Sequence, residues 1–451
     1  MATLKETKAT LAAANKDVLT LIRSFADEQS FIETDAFMSS ETDIADAPGE
    51  GVVSGFASVG GKGVCVFATN PKVLKGSIGA LNAKKITRCI NNAVRTEKPL
   101  IAVWDTSGAR FAEGIDALDG YGDILRAYTL AYGDIPVISI IKGNNLGISS
   151  YVAGLSDFVI AYDESVMATS SPLVISAQTG VDVKNVGSSK TLAENGIVTN
   201  IVKKDLRDTL IKILAVFAGG AESGDDANRV CKGLKCGADM KAVIKEVFDK
   251  NSFLPVRDGF AQSVITGFAT LGDIPVGVVA TNAECGEGKL TAQSCLKITE
   301  FLGACSTADC PVVFLVDSAG TEVCADDTRL MYELSNLLYT VHTQQADMFA
   351  VVCGKAIGGA YTTLVAPCEY KIAWECAEVG ALASESAARL LYADEIKTAK
   401  NKDKAAEKLA TAYAAENCSA LTLARSGRFD NVIEPNLTRS YLLAALVAHM
   451  E

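Results

Sequence analysis

Four glycine-rich turns are the segments of this chain whose residue types could do chemistry. Two of them read DTSGARFAEG, from Asp105, and KGNNLGISSY, from Lys142; the other two read DSAGTEVCAD, from Asp317, and GKAIGGAYTT, from Gly354. Glycine lets the backbone approach a ligand closely, and a helix that starts after such a turn directs free N–H groups at negative charge. Each turn is therefore a candidate oxyanion hole for an enolate or a thioester oxygen. Tight packing of a strand against a helix would also require glycine, so one turn alone does not decide between the two interpretations.

The turns form two pairs because the chain contains the same domain twice. The segment VVSGFASVGGKGVCVFATN begins at residue 52, and VITGFATLGDIPVGVVATN begins at residue 264, which is 212 positions later. The same spacing relates Asp105 to Asp317 and continues without a gap to the strands DFVIA and EYKIA. A spacing of this length indicates two copies of a whole domain rather than a solenoid of short repeats. We predict that both copies fold alike, with DTSGAR equivalent to DSAGTE.

The elements around the turns are strands and helices in alternation. In each copy a β-rich stretch precedes a helix, a buried strand that ends at an acidic residue, a second helix and a second apolar strand. This order predicts an α/β fold with mostly parallel strands. We place the domains at residues 1–217 and 240–451, with a Gly- and Asp-rich linker that starts at Ala218.

The second copy has gained residues near its C-terminal end. GIVTNIV, from Gly196, matches GRFDNVI, from Gly427, at a spacing of 231 positions, which exceeds the earlier spacing by 19. The additional residues fall in DEIKTAKNKDKAAEKLATAYAAEN, which is rich in Lys and Ala and predicts a helix. The lysines predict a solvated helical face or, as the alternative, a patch for an anionic ligand or partner.

Composition excludes several classes of function. The net charge is −12, and no Lys/Arg cluster carries interleaved aromatic residues, so we expect no nucleic-acid partner. No apolar run reaches the roughly 18–20 residues that span a bilayer, and no signal core is visible, so we expect no membrane insertion and a cytoplasmic location. The 13 cysteines include no CxxC pair, which favours reduced thiols over disulfides or zinc. With only His342 and His449 as histidines, neither a histidine triad nor a multi-histidine metal site is expected.

Several motifs together resemble the biotin-dependent carboxyltransferase family. GSIGALNAKKI is followed by DTSGARFAEGIDALDGYGDILR, and SFIETDAF, IGGAYTT and NVIEPNLTR match further elements of the family. The resemblance covers nearly the whole chain. It includes the β subunits of acyl-CoA carboxylases and the carboxyltransferase subunits of acyl-CoA decarboxylases.

The resemblance implies a fold, an activity and partners. It implies two tandem crotonase-like (ClpP/crotonase) spiral domains, one for each copy, and an oligomer in which the N half of one protomer faces the C half of another, as a dimer or a hexamer. The implied reaction moves a carboxyl group between biotin and the α-carbon of an acyl-CoA through an enolate held in oxyanion holes. No biotin-attachment sequence or ATP-binding carboxylase domain is present, so biotin would arrive on a separate carrier protein. Biotin carboxylase or decarboxylase subunits would be the other partners.

The resemblance also implies which residues form the oxyanion holes. Carried over residue by residue, the hole of the C half falls on Gly359 and Ala360, and the hole of the N half falls on Gly147 and Ile148. Family members usually have GPCAGGA where this chain has NNLGISS, so the N-half turn departs from the family pattern.

The residues around the holes are implied to bind substrate. They are Ser107, Gly108, Ala109, Arg110, Gly358 and Tyr361. Arg110 would hold a phosphate of coenzyme A or, as the alternative, form an ion pair with Glu113. Tyr361 would line the cavity on the biotin side.

Two other functions remain open at this point. One is a biotin-independent crotonase-type decarboxylase or hydrolase, although neither glycine-rich turn is bracketed by the paired carboxylates that such enzymes use. The other is a scaffold subunit without catalytic activity, which the altered NNLGISS turn favours.

Overall fold

The computed structural model describes residues 3–40, 47–219 and 224–449. The chain separates into two compact units, Met1–Leu214 and Ala215–Glu451. The predicted domain limits, 1–217 and 240–451, remain a prediction. No described helix is both long enough and apolar enough to cross a membrane.

Unit 1 alternates strands and helices as predicted. Its strands are β1 (Ile32–Thr34), β2 (Val52–Val59), β3 (Lys62–Thr69), β4 (Leu100–Thr106), β5 (Val137–Leu146), β6 (Phe158–Tyr162), β7 (Val166–Ala168) and β8 (Asn200–Val202). Its helices are α1 (Leu4–Ala14), α2 (Lys16–Phe25), α3 (Ala80–Thr96), α4 (Ile115–Ala131), α5 (Ile148–Gly154), α6 (Pro172–Thr179), α7 (Ser189–Glu194) and α8 (Leu206–Val216), which runs two residues past the unit limit.

Unit 2 repeats this order and adds helices near its C-terminal end. Its strands are β9 (Leu254–Val256), β10 (Val264–Leu271), β11 (Ile274–Thr281), β12 (Val312–Ser318), β13 (Met348–Ile357), β14 (Tyr370–Trp374), β15 (Glu378–Gly380) and β16 (Asn431–Ile433). Its helices are α9 (Met240–Val247), α10 (Ala292–Thr307), α11 (Thr328–Thr343), α12 (Gly359–Leu364), α13 (Ser384–Leu391), α14 (Ala393–Thr398), α15 (Lys402–Tyr413), α16 (Ala420–Arg425) and α17 (Thr438–His449). The predicted additional helix is confirmed as α14 and α15, and a π-helical turn, Ala414–Cys418, follows them.

The two sheets have the same strand order. In the described residues the first sheet runs β1-β2-β3-β4-β5-β6-β8 with β7 on β5, and the second runs β9-β10-β11-β12-β13-β14-β16 with β15 on β13. An antiparallel hairpin opens each sheet, and the strands after it are parallel. The central strands are buried along their length, as expected for parallel strands covered on both faces. The predicted shared fold of the two copies is confirmed.

The prediction of a spacing without a gap is wrong at one strand. Leu100 pairs with Val137 and Val312 pairs with Met348, so β4 and β12 are 212 positions apart but β5 and β13 are 211 apart. The spacing returns to 212 at β6 and β14. One residue is therefore lost before β13 and regained after α12, and the turns that follow β5 and β13 must be compared at a spacing of 211.

A buried lysine joins the first long helix to the hairpin in each unit. Lys85 Nζ donates to the Val52 carbonyl at 2.5 Å, and Lys297 Nζ donates to the Val264 carbonyl at 2.7 Å. Burial lowers the pKa of both lysines to about 8. The hydrogen bonds to carbonyl oxygens partly replace the water that these ammonium groups lose.

A half-buried aspartate joins distant parts of unit 1. The Asp27 carboxylate accepts hydrogen bonds from the Ser58 hydroxyl at 2.6 Å and from the N–H groups of Gly60 and Gly61, in the β2–β3 turn, at 2.9 and 2.8 Å. Arg207 of α8 donates to it at 2.7 Å. The hydrogen bonds from Ser58 and Arg207 hold the pKa of Asp27 well below its usual value. We call this group the Asp27 clamp, because it joins the hairpin to a helix 180 residues further along the chain.

Unit 2 contains the equivalent Asp249 clamp. Asp249 accepts from the Thr270 hydroxyl at 2.7 Å, from the N–H groups of Gly272 and Asp273 at 3.0 Å each, and from Arg439 of α17 at 2.6 Å. Burial alone would raise the pKa of Asp249, but these hydrogen bonds outweigh burial and lower it. The Asp249 and Arg439 side chains are fully buried, whereas the Asp27 and Arg207 side chains are 26% and 38% exposed.

The expectation that the cysteines are all reduced is wrong for one pair. Cys236 and Cys376 form a disulfide in unit 2, and both residues are exposed. The other 11 cysteines are free, and nine of them are buried. The two disulfide partners are 140 residues apart, so no local spacing of cysteines indicated this contact. Because disulfides are uncommon in reducing compartments, this pair removes part of the support for a cytoplasmic location.

We predict that Asp249→Ala destabilises unit 2 by about 3–5 kcal/mol, because it leaves the Arg439 guanidinium buried without a counter-charge. Asp27→Ala should cost unit 1 clearly less, because water reaches Arg207. Each unit holds one of the two tryptophans, Trp104 and Trp374. Urea unfolding followed by Trp fluorescence in Trp104→Phe and Trp374→Phe backgrounds would measure each unit separately. Equal losses for the two variants would contradict this account.

Candidate active site

The first glycine-rich turn of each copy starts beside an irregularity in the pairing of two neighbouring parallel strands. The pairing of β4 with β5 shifts register after Trp104, and that of β12 with β13 shifts after Val316. The Asp105 carboxylate accepts from the Asn144 N–H at 3.1 Å, and Asp317 accepts from the Lys355 N–H at 2.8 Å. Burial raises the pKa of Asp105, and the hydrogen bond from Asn144 opposes that change. These contacts bridge neighbouring strands at the carboxyl end of each sheet, which is where open α/β sheets bind ligands.

Glycine is required at the centre of this turn in both copies. Gly108 has φ +97° and Gly320 has φ +110°. A Cβ atom at Gly108 would lie 2.9 Å from the Leu146 carbonyl oxygen, and one at Gly320 would lie 3.2 Å from that of Ile357. The first turn therefore packs directly against the carbonyl group of the residue just before Gly147 in unit 1 and just before Gly358 in unit 2.

In the second turn of each copy, the glycine that precedes the helix donates its N–H to a backbone carbonyl. Gly147, with φ +74°, donates to the Ala168 carbonyl at 2.9 Å, and Gly358, with φ +51°, donates to the Gly380 carbonyl at 2.8 Å. Gly147 is thus the equivalent of Gly358, at the spacing of 211. The Gly147 N–H, which the family resemblance implies as a donor to the substrate, is thus engaged by the Ala168 carbonyl in this structure.

The N–H groups after these glycines are the available donors. Helix α5 begins at Ile148 and α12 begins at Gly359. The first N–H groups of a helix have no partner within the helix. The pair Gly359 and Ala360 of the C half therefore corresponds to Ile148 and Ser149 of the N half. The resemblance implied Gly147 and Ile148, whereas the strand register makes Ser149 the equivalent of Ala360.

Arg110 lies in a buried polar network of unit 1. Its Nη1 atom donates to Glu50 and to Glu113, at 2.8 Å each, and its Nη2 atom donates to the Ser77 carbonyl at 3.2 Å. The Glu50 side chain is fully buried and also accepts from the Ser40 hydroxyl at 2.7 Å. Burial alone would raise the pKa of Glu50, but the hydrogen bonds from Arg110 and Ser40 outweigh it and lower the pKa. The ion pair with Glu113 is thus present. Glu50 lies 60 residues away, and no motif in the sequence pointed to it.

The other predicted substrate-binding residues lie at the turns. Ser107 is exposed, and Ala109 is half-buried and forms a bridge with Ile78. In unit 2, Gly358 and Tyr361 line a cavity of about 660 Å³, which we call the C-terminal cavity. Gly359 and Ala360 are not among its lining residues, although they lie between two that are.

The arrangement can stabilise negative charge on oxygen at two places. Each unit presents a helix start beside a glycine-rich turn, at the carboxyl end of a parallel sheet. His342, on α11, and His449, on α17, are both exposed. Backbone N–H groups are therefore the main groups that could stabilise this negative charge.

Comparison with known proteins gives matches along nearly the whole chain. The family model described as "carboxyl transferase domain" matches residues 13–451. The carboxyltransferase subunit of propionyl-CoA carboxylase from Haloferax mediterranei is 30% identical over 94% of this chain and 88% of its own length. The 12S subunit of methylmalonyl-CoA carboxyltransferase from Propionibacterium freudenreichii subsp. shermanii is also 30% identical, over 94% of this chain and 87% of its own length.

A solved structure agrees with the fold. The hexameric transcarboxylase 12S crystal structure, with methylmalonyl-coenzyme A and methylmalonic acid bound, matches with a TM-score of 0.91 and 26% identity, over 100% of this chain and 96% of that one. The predicted duplicated α/β fold and the predicted family are confirmed. The chain belongs to the carboxyl transferase domain family.

Proposed function

We propose that this chain is the carboxyltransferase subunit that moves a carboxyl group between biotin and the α-carbon of an acyl-CoA. The observation that carries the proposal is the pair of equivalent helix starts, at Ile148 and Gly359, each beside a glycine-rich turn. Carboxyl transfer to an acyl-CoA needs two groups of donors, because negative charge develops on the thioester oxygen and on the ureido oxygen of biotin. The membership in the carboxyl transferase domain family supports the same reaction.

The C-terminal cavity fits a biotin ring. Its volume of about 660 Å³ is within the usual range of small-molecule sites, and its wall includes the backbone of Gly358 and the ring of Tyr361. Biotin, when bound, supplies the ureido nitrogen that carries the carboxyl group and accepts the α-proton. We propose that Gly359 and Ala360 hold its ureido oxygen and that Tyr361 lines the ring.

The N half would hold the acyl-CoA. We propose that the N–H groups of Ile148 and Ser149 donate to the thioester oxygen, where charge accumulates when the α-proton leaves. Donors fixed by the backbone need no reorganisation during the reaction, and each is typically worth about 2.7–4 kcal/mol. Ser107, Gly108 and Ala109 would form the wall beside the thioester. Arg110 would act as a positioning residue, because its guanidinium is already bonded to Glu50, Glu113 and Ser77.

The proposal includes partners and a location. Biotin would be bound to a separate carrier protein, and a biotin carboxylase or a decarboxylase subunit would complete the complex. We propose a homo-oligomer in which the N half of one protomer faces the C half of another, as a dimer or a hexamer. We retain the cytoplasm as the proposed compartment, because nine of the cysteines are buried free thiols.

Decarboxylation of malonyl-CoA or methylmalonyl-CoA, measured with and without free biotin, tests the function. We expect biotin to accelerate the reaction of the purified protein. Gly359→Pro should lower the biotin-dependent rate at least a hundredfold relative to Gly359→Ala, because proline removes one donor. Proline is tolerated at the first position of a helix, and both variants place a Cβ near Thr321, 2.8 Å away. The two variants therefore differ mainly in whether residue 359 has a backbone N–H.

His342→Ala is the control for side-chain catalysis. His342 is exposed on α11, so this variant should remain within a few-fold of the unmodified protein. An active Gly359→Pro variant together with an inactive His342→Ala variant would contradict the proposed mechanism. Activity that never responds to biotin would favour the biotin-independent crotonase-type reaction instead.

Mixing of two inactive chains tests the shared site. Ile148→Pro should inactivate the N half, and Gly359→Pro should inactivate the C half. If each site combines the N half of one protomer with the C half of another, random co-assembly in dimers should restore about a quarter of the activity. Sites confined to one chain would give no restoration. Light scattering on the same samples would show whether the mixed chains assemble.

Removal of the Arg110 guanidinium separates its two predicted roles. We expect Arg110→Met to lower the stability of unit 1 by about 3–5 kcal/mol, because Glu50 would remain buried without a counter-charge. The double variant Arg110→Met/Glu50→Gln should recover part of this loss. Urea unfolding followed by Trp104 fluorescence would measure both. An unchanged stability with a raised KM for the acyl-CoA would instead identify Arg110 as a phosphate ligand.

A further inference from the structure

The C-terminal cavity is bordered by the residues that unit 2 has gained. One wall is formed by Gly358, Tyr361 and strand β15, and the other includes the π-helical turn that follows α15. The loop between α16 and β16 completes the cavity and contributes Arg428. Two charged residues line the cavity, Arg428 and Glu416.

Arg428 has spare hydrogen-bonding capacity. It follows Gly427, which has φ +74°, and it is exposed. Its Nη1 atom donates to the Ser426 hydroxyl, and among the described residues no carboxylate pairs with it. A guanidinium has five N–H donors in a planar fork, which suits a carboxylate. Most donors of Arg428 are therefore available to a ligand in the cavity.

Arg428 lines the same cavity as Gly358 and Tyr361 of the IGGAY turn. Burial raises the pKa of Tyr361, and the positive charge of Arg428 opposes that change. The Tyr361 ring is held by an edge-to-face contact with Phe429, with ring centres 6.5 Å apart. Arg428 therefore borders the cavity that we assign to biotin, and its neighbour Phe429 contacts the ring of Tyr361 on the same cavity.

The duplicated copy provides an internal comparison. Gly196 and Gly427 are equivalent, with φ +79° and +74°, and the residue that follows is Ile197 in unit 1 and Arg428 in unit 2. Ile197 is 43% exposed, so both positions can carry a side chain in contact with solvent. The fold therefore does not require arginine here, and the cation is specific to the C half.

We propose that Arg428 binds the carboxylate that biotin carries in the C-terminal cavity and so distinguishes carboxylated from uncarboxylated biotin. The inference rests on the proposed function, because it assigns the cavity to the biotin side. It adds a side chain to a site otherwise formed by backbone donors. The carboxylate of a dicarboxylic acyl-CoA has the same chemistry, and the experiment must separate it from the carboxylate on biotin.

Two stable biotin derivatives separate charge from shape. One carries a carboxymethyl group on the ureido nitrogen, and the other carries a neutral hydroxyethyl group there. Ligand-observed NMR titration would give Kd for both with the full-length protein. We expect the unmodified protein to prefer the anion, and Arg428→Ala to weaken binding of the anion at least about tenfold while leaving the neutral derivative unchanged. Arg428→Lys should retain part of the preference, and Arg425→Ala, an exposed arginine outside the cavity, should retain all of it.

The titration results can overturn the inference about Arg428, or the proposed function together with it. An Arg428→Ala variant that keeps the full preference for the anion would overturn the inference while leaving the proposed function intact. A variant that loses affinity for malonyl-CoA but not for the anionic biotin derivative would also overturn it, because the guanidinium would then serve the acyl-CoA. If the unmodified protein binds neither derivative, the biotin side of the proposed function fails and this inference fails with it. Unchanged Trp374 fluorescence would confirm that the variants are folded.

Discussion

A single carboxylate in each unit, Asp27 or Asp249, joins parts of the chain that are distant in sequence. Each clamp fixes the turn of the first hairpin and receives an arginine from the last helix of its unit. The parallel strands between these two elements carry the glycine-rich turns at their carboxyl ends. Each clamp lies within one unit, so each hairpin is tied to the last helix of its unit by contacts of that unit alone. The helix starts at Ile148 and Gly359 lie in the part of the chain between these two tied elements.

Much of the fold could be predicted because repetition is visible in the sequence itself. The spacing of 212 positions identified the two copies, and the alternation of apolar strands and helices indicated the parallel sheet. The one-residue change before β13 could not be seen, because a deletion and an insertion nearby restore the same spacing at β14. Because of that change, the equivalents of Gly359 and Ala360 are Ile148 and Ser149, whereas the family resemblance implied Gly147 and Ile148 as the N-half donors. Only the pairing of backbone atoms across strands resolves a shift of this size.

The contacts that the sequence did not reveal share one property, which is that their two partners are far apart along the chain. Glu50 and Arg110 lie 60 residues apart, and Cys236 and Cys376 lie 140 apart. Neither pair has a local pattern, because a contact between side chains of distant strands and loops requires no particular spacing. Arg110 was predicted from its motif, but its partner Glu50 was not, because a sequence does not distinguish a buried glutamate from an exposed one. The positions of backbone donors are more predictable, because glycine-rich turns leave a signature in composition.

The Cys236–Cys376 disulfide has a mechanical consequence for a chain that is pulled from its ends. The covalent bond carries the load directly from Cys236 to Cys376, which are 140 positions apart, so the segment between them cannot extend. That closed loop includes β10 to β14, α12 and the glycine-rich turn at Gly358. Tension applied during transport or by a protein-unfolding machine would therefore stretch unit 1 and the C-terminal helices while the core of the C half stays shielded. Reduction of this one exposed bond would remove the shielding.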